Sequence, residues 1–166
     1  GAVLELSGET AKAPQELADA LFFVTSAGLR GQTAMQVLEQ SARAAAAGLG
    51  ETKDVALAVT GTINAYGREN LSAAEATDIL VNTIRLGNVE AADIAPVLGR
   101  IVPIASQVGV SFDQVGAAIA AITRLGGNAN ETITSLRGIF RAIIKPSKEE
   151  EKVFRDYGTS AAGIRQ

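Results

Sequence analysis

The feature that most restricts this fold is the spacing of its glycines. Gly28, Gly48, Gly67, Gly87, Gly109 and Gly126 recur roughly every 20 residues, and each follows a segment with helical apolar periodicity. Glycine takes the left-handed conformation that closes a helix without steric cost. A chain punctuated in this way cannot run as one long rod; it forms short helices that fold back on themselves. Leu29, Leu49 and Val110 directly follow three of these glycines, where an apolar side chain can pack back on the last helical turn. Gly28 and Gly67, Gly48 and Gly87, and Gly87 and Gly126 are each 39 residues apart, a period that suggests repeated helix hairpins. A weaker match aligns Leu21 to Leu38 with Ile119 to Leu136 at an offset of 98. Shared helix–glycine–helix physics also produces such a match.

The helices follow from periodicity and caps. One is expected over Ala13 to Ala27, with Pro14 in the first turn, where its missing N–H costs nothing. Others are expected over Thr33 to Ala47, Thr52 to Tyr66, and Ser72 to Leu86, the last opened by a Ser72–Glu75 capping box. Glu90 to Leu98 and Ile101 to Val108 read as two shorter helices, with Pro96 and Pro103 near helix starts or at kinks. Ser111 with Gln114 opens a helix to Leu125, and Asn130 caps one ending near Ile144. Lys145-Pro146 stops that helix, and Ser147 with Glu150 starts a last one to Tyr157. Period-2 alternation is missing, so the class is all-α: eight or nine short helices joined by Gly-capped turns. Residues 1–157 form one domain in this reading, and 158–166 a frayed tail.

Composition removes whole classes of chemistry. The 166 residues contain no Cys and no His, which excludes disulfides, thiolate metal sites, cysteine nucleophiles, imidazole ligands and Ser-His-Asp triads within this chain. The net charge of −3 lacks the basic balance of a nucleic-acid binder. No charge-free run approaches the ~20 residues of a membrane span, and no signal-peptide pattern opens the chain. Gly1 in place of Met suggests a segment of a longer protein.

The remaining candidates have modest explanations. Glu16, Asp54, Glu75, Glu90, Asp113, Glu131 and Glu149 to Glu151 fall in first helical turns, where negative charge offsets the helix dipole by ~0.3–1 kcal/mol each. That placement needs no catalytic carboxylate pair. Gly48-Leu49-Gly50 and Gly126-Gly127 lack the Lys-Ser or Lys-Thr of a phosphate loop and read as caps. Arg137, Arg141 and Lys145 recur every four residues, followed by Lys148, Lys152 and Arg155; the stripe is either a solvated face or a contact for an acidic partner. Ala44 to Ala47, Ala117, Ala118, Ala120 and Ala121 give thin helix faces, suited to tight packing within the domain or to association between chains. No catalytic, cofactor-binding or metal-ligating residue is assigned, and no cofactor.

Ten strings, in order, carry a resemblance. They are Glu16–Leu21, Thr25–Gly28, Ser41–Gly50, Asn64-Ala-Tyr-Gly67, Leu71–Ala76, Leu98–Arg100, Pro103–Ala105, Gly109-Val-Ser-Phe112, Leu136–Gly138 and Lys145-Pro-Ser147. In this succession they resemble the core region of phage tail tape-measure proteins, over roughly residues 4 to 150. Arg68 to Asn70 and Gly126 to Asn130 depart from the pattern. The resemblance implies a structural virion protein in the tail lumen, made in the host cytoplasm. It implies a part in tail assembly and tail-length determination, and contacts with tail tube and tail-assembly chaperone proteins. Self-association as a trimer or hexamer would match a tail tube. No catalytic motif comes with the resemblance, and neither nucleic-acid specificity nor a membrane span is expected. Members are longer than this chain, so it reads as one folded domain of such a protein. A helix-repeat adaptor is the second reading, and a carboxylate enzyme acting on cell-wall glycan the third.

Overall fold

The computed structural model describes residues 1–160 and 163; the rest of the expected frayed tail lies outside the described residues. Among the described residues there are nine helices and no strand. They are α1 (Ala2–Thr10), α2 (Pro14–Ser26), α3 (Gly31–Ala46), α4 (Thr52–Tyr66), α5 (Ala73–Gly87), α6 (Ala91–Gln107), α7 (Phe112–Arg124), α8 (Ala129–Ile144) and α9 (Lys148–Asp156).

The glycine closures are physical. After α2, α3, α6 and α7, Gly28, Gly48, Gly109 and Gly126 adopt positive φ. Each makes the paired backbone bonds of a Schellman turn, as in Gly48 N–H to Ala45 O at 3.0 Å and Leu49 N–H to Ala44 O at 3.2 Å. Leu29 behind the first of these glycines is fully buried, and Leu49 and Val110 pack on the core. Gly87 is different. It is the last residue of α5, and Asn88 takes the left-handed position at φ 53°.

Helices stack in two layers. α2, α4, α6 and α8 form one, each packing on the next; α1, α3, α5 and α7 form the other. Neighbours within a layer run parallel where side chains report it. Thr52 Oγ1 at the start of α4 donates to Glu16 at the start of α2, and Asn64 at the end of α4 donates to Ala27 O after α2. Gly50, just before α4, abuts Ala91, the first residue of α6, while Ser106 at the end of α6 donates to Ala65 O. These partners are 36 to 41 residues apart, so the 39-residue glycine spacing is the step of a stack of helix hairpins. The 98-residue alignment pairs α2 with α7, helices of opposite layers, and marks no structural repeat. One apolar cluster runs through the stack from Leu6 to Phe140.

Three expectations are corrected. Residues 91–107 form one helix, not two, with Pro96 and Pro103 inside it. Ala92, Pro96, Gly99 and Pro103 lie on one exposed stripe, so the carbonyls that the prolines leave unpaired face water. The opposite face buries Ile94, Val97, Leu98, Ile101 and Val102, worth roughly 7–15 kcal/mol against roughly 6 kcal/mol for two interior prolines. The cap of α8 is Asn128, not Asn130; its Oδ1 accepts from the Asn130 and Glu131 N–H groups at 2.8 and 3.3 Å. Finally, α1 precedes the first expected helix. It ends at Ala11 in the left-handed region, with no glycine to announce it.

Candidate functional site

The carboxylates serve as local helix anchors. Ser72 and Glu75, and Ser147 and Glu150, exchange backbone and side-chain bonds in capping boxes. The bonds from serine hold both carboxyl groups below the usual carboxylate range. Glu16 is also lowered, first by the Thr52 hydroxyl at 2.5 Å; burial opposes that bond, and the nearby Lys12 charge adds a smaller lowering. Each belongs to a different helix start. Among the described residues no three acidic side chains gather as a metal site.

Two of the sequence strings meet. Asn64-Ala-Tyr-Gly67 closes α4, and Gly109-Val-Ser-Phe112 joins α6 to α7. The Tyr66 hydroxyl donates to Val110 O at 2.7 Å, and its ring lies 6.3 Å from that of Phe112. Burial, and then the charge of Asp113, push the Tyr66 hydroxyl up to about 12. In the other direction Asn64 holds Ala27 O at 2.9 Å, and Arg68 holds Gly28 O at 3.0 Å. This one loop edge therefore laces three successive hairpins together. The seam between α5 and α7 depends on small residues instead. Gly87 packs against Thr123 and the Ala120 backbone, and Gly116 against Thr83.

The basic stripe divides. Arg137 is half-buried, with its Nε buried and unpartnered among the described residues. Arg141 and Lys145 are exposed and border a hollow of about 530 Å³ with Ile104, Gln107 and Ile144. Lys148, Lys152 and Arg155 lie beyond Pro146 on α9, a helix that buries none of its residues. A second hollow of about 650 Å³, mainly apolar, opens between α8 and α9 and is lined by Ile139, Ile143, Val153 and Phe154. The sequence reading missed this groove; the strong apolar–charged segregation of residues 148–157 after Lys145-Pro146 was its signal. Of the alanine faces, Ala44, Ala45 and Ala120 are buried within the chain, while Ala46, Ala47, Ala117 and Ala121 are exposed. No helix among the described residues is long and apolar enough to cross a membrane.

The family model of phage-related minor tail proteins matches residues 1–165. The chain belongs to that family. A curated relative is the tape measure protein of Pneumococcus phage Dp-1, 26% identical over 157 residues that cover 95% of this chain and 14% of the relative. The chain thus spans about a seventh of that protein's length. No solved structure matches it. Together these findings make it a tape-measure-type protein with a structural role in the phage tail, among the other components of the virion tail. The family agrees with the resemblance carried by the strings, two of which form the lacing around Tyr66.

Proposed function

We propose that this chain is a core segment of a tail tape-measure protein that acts in tail assembly and in setting tail length. The observation that carries the reading is the match over residues 1–165 together with the tape-measure relative. Its partners would be the tail tube and tail-assembly chaperone proteins. It would reside in the host cytoplasm first and in the tail lumen afterwards, self-associating there as a trimer or hexamer. Residues 1–157 act as one domain and 158–166 as a tail. The role is structural rather than enzymatic: the family is one of phage tail proteins, and Glu75 and Glu150 serve as helix caps.

A fully helical ruler of this length would span about 250 Å. Stacked hairpins favour docking or initiation over direct ruling. The test is tail length by electron microscopy in a phage encoding this chain with the segment deleted in frame. Absent tails support initiation, and tails shortened by about 250 Å support direct ruling. Infectious tails of unchanged length overturn both. That result would favour the second reading, an adaptor that binds a protein partner along its hairpin stack.

A further inference from the structure

We propose that α9 is a strap, hinged at Lys145-Pro146, that closes onto the exposed side of α8 and so switches the far end of the stack between an apolar and a charged surface. The inference goes beyond the tail role and does not depend on it.

The strap cannot simply continue the stack. Ser72, Ser111 and Ser147 open α5, α7 and α9, with Glu75, Gln114 and Glu150 three residues on, so the three helices align from their caps. The first, fifth, eighth, ninth and twelfth residues after Ser111 are Phe112, Gly116, Ile119, Ala120 and Thr123, all buried. The same places after Ser147 hold Lys148, Lys152, Arg155, Asp156 and Thr159. A helix with charges at its inward positions has no second-layer seat beside α7. Its apolar residues, Val153, Phe154 and Tyr157, lie on the opposite face.

That opposite face looks onto α8. Val153 and Phe154 form one wall of the hollow of about 650 Å³, and Ile139 and Ile143 of α8 form the other. The walls stand apart: α9 buries none of its residues, and Ile139 and Val153 stay 56% and 51% exposed. Nine residues are fewer than the roughly 12–15 that hold an isolated helix in water, so α9 needs a surface to rest on. Only residues 145–147 separate it from α8, which makes α8 the surface within reach. The joint is a break in the helix, because Pro146 has no N–H to give and Lys145 stands at φ −142°, outside the helical region.

Charge favours the same closure. Arg141 and Lys145 at the end of α8 border the smaller hollow with Glu150, while Glu149 and Glu150 border the larger one. Among the described residues none of these four is ion-paired. Glu150 is held in its cap by Ser147, which leaves Glu149 as the group to approach the α8 cations when the strap closes. Lys148, Glu151, Lys152 and Arg155 are exposed and stay outside. Open, the far end offers Ile139 and Ile143 to a partner; closed, it offers the charged face of α9.

Disulfide trapping tests this in a chain that has no cysteine of its own. Ile139→Cys with Val153→Cys sets one thiol on each wall, whereas Ile139→Cys with Lys152→Cys turns the second thiol about 100° around α9. A disulfide needs its Cα atoms within about 7 Å. Under mild oxidation at low micromolar concentration the first pair is expected to close within the chain about tenfold faster than the second. Hydrogen exchange gives a reading on the wild type: the α9 amides should be protected about tenfold or more over an unstructured chain, and Phe154→Asp should remove that protection. Glu149→Lys should lower it more than Glu151→Lys, which changes the same first-turn charge but borders neither hollow. Equal trapping of the two pairs, a disulfide formed only between chains, or α9 amides that exchange like an unstructured chain overturns the strap. Equal losses from Glu149→Lys and Glu151→Lys overturn its charge pairing.

Discussion

Replacing Gly87 by Ala tests whether the α5–α7 seam is as close as its geometry requires. A Cβ at residue 87 would lie 2.6 Å from Thr123 Oγ1 and 3.1 Å from the Ala120 Cα. The first contact can be relieved by rotating a threonine that now donates to Ile119 O at 2.8 Å; the second is backbone and yields only if a helix moves. Alanine gains up to ~1 kcal/mol over glycine inside a helix, and less at the final residue. Overpacking of this kind costs about 1–3 kcal/mol. The net expectation is a loss of about 0.5–2 kcal/mol, or roughly 2–6 °C in Tm for a chain of this size. Gly138→Ala is the control, because no described residue comes within 4 Å of its Cβ position; it should gain about 0.5–1 kcal/mol. Urea unfolding followed by circular dichroism gives both midpoints. Adding Thr123→Ala to Gly87→Ala should recover part of the loss, with a coupling of about 0.5–1.5 kcal/mol. If Gly87→Ala stabilises as Gly138→Ala does, the seam is looser than described and the reasoning fails.

Pro103→Ala should raise the thermal midpoint by several degrees with no change in helix content, since it restores an interior helix bond at a solvent-facing position; a drop in midpoint would show that the proline is required. Thr60→Val should be neutral or stabilising by up to ~1 kcal/mol in urea, because the buried Thr60 hydroxyl has no hydrogen-bond partner among the described residues. Thr62→Val loses a bond to Ala58 O at 2.8 Å and should be the less stable of the two. Glu16, Glu75 and Glu150 titrate below their unfolded value of 4.5, so their stabilisation is present above that value and is lost as pH falls through the lower folded values. The unfolding midpoint should therefore be flat from roughly pH 6 to 8, where a chain without histidine has no side chain at its ordinary titration point, and decline below roughly pH 5. Thr52→Val should soften that acid decline by removing the main hydrogen bond to Glu16.

Much of this architecture was legible because its signals are local. Gly28, Gly48, Gly109 and Gly126 announce their own turns, and Ser72–Glu75 and Ser147–Glu150 announce their own caps. The 39-residue period was readable for the same reason. The rest depends on what lies across the fold. Pro96 and Pro103 look like boundaries until their shared solvent stripe is seen, and only the position of α7 explains why Gly87 must be small. The α1 helix carried no stop signal because Ala11 bears the left-handed turn. Asn64, Tyr66 and Val110 stood in recognisable strings, but nothing along the chain says that the strings touch. The exposed apolar side chains were the least legible, since Phe22 or Ile139 reads in sequence like any other helical apolar residue.

The lacing around Tyr66 also has a mechanical meaning. In a stack where each hairpin grips mainly its neighbours, tension applied at the two ends need not break the whole molecule at once. Hairpins can peel away singly, each releasing about 130–140 Å of extended chain for a 39-residue step. The seams that Asn64, Tyr66 and Arg68 tie would resist longest, and the thinly attached α9 would yield first. A folded segment built this way stores several hundred ångströms of contour length and pays it out in measured increments.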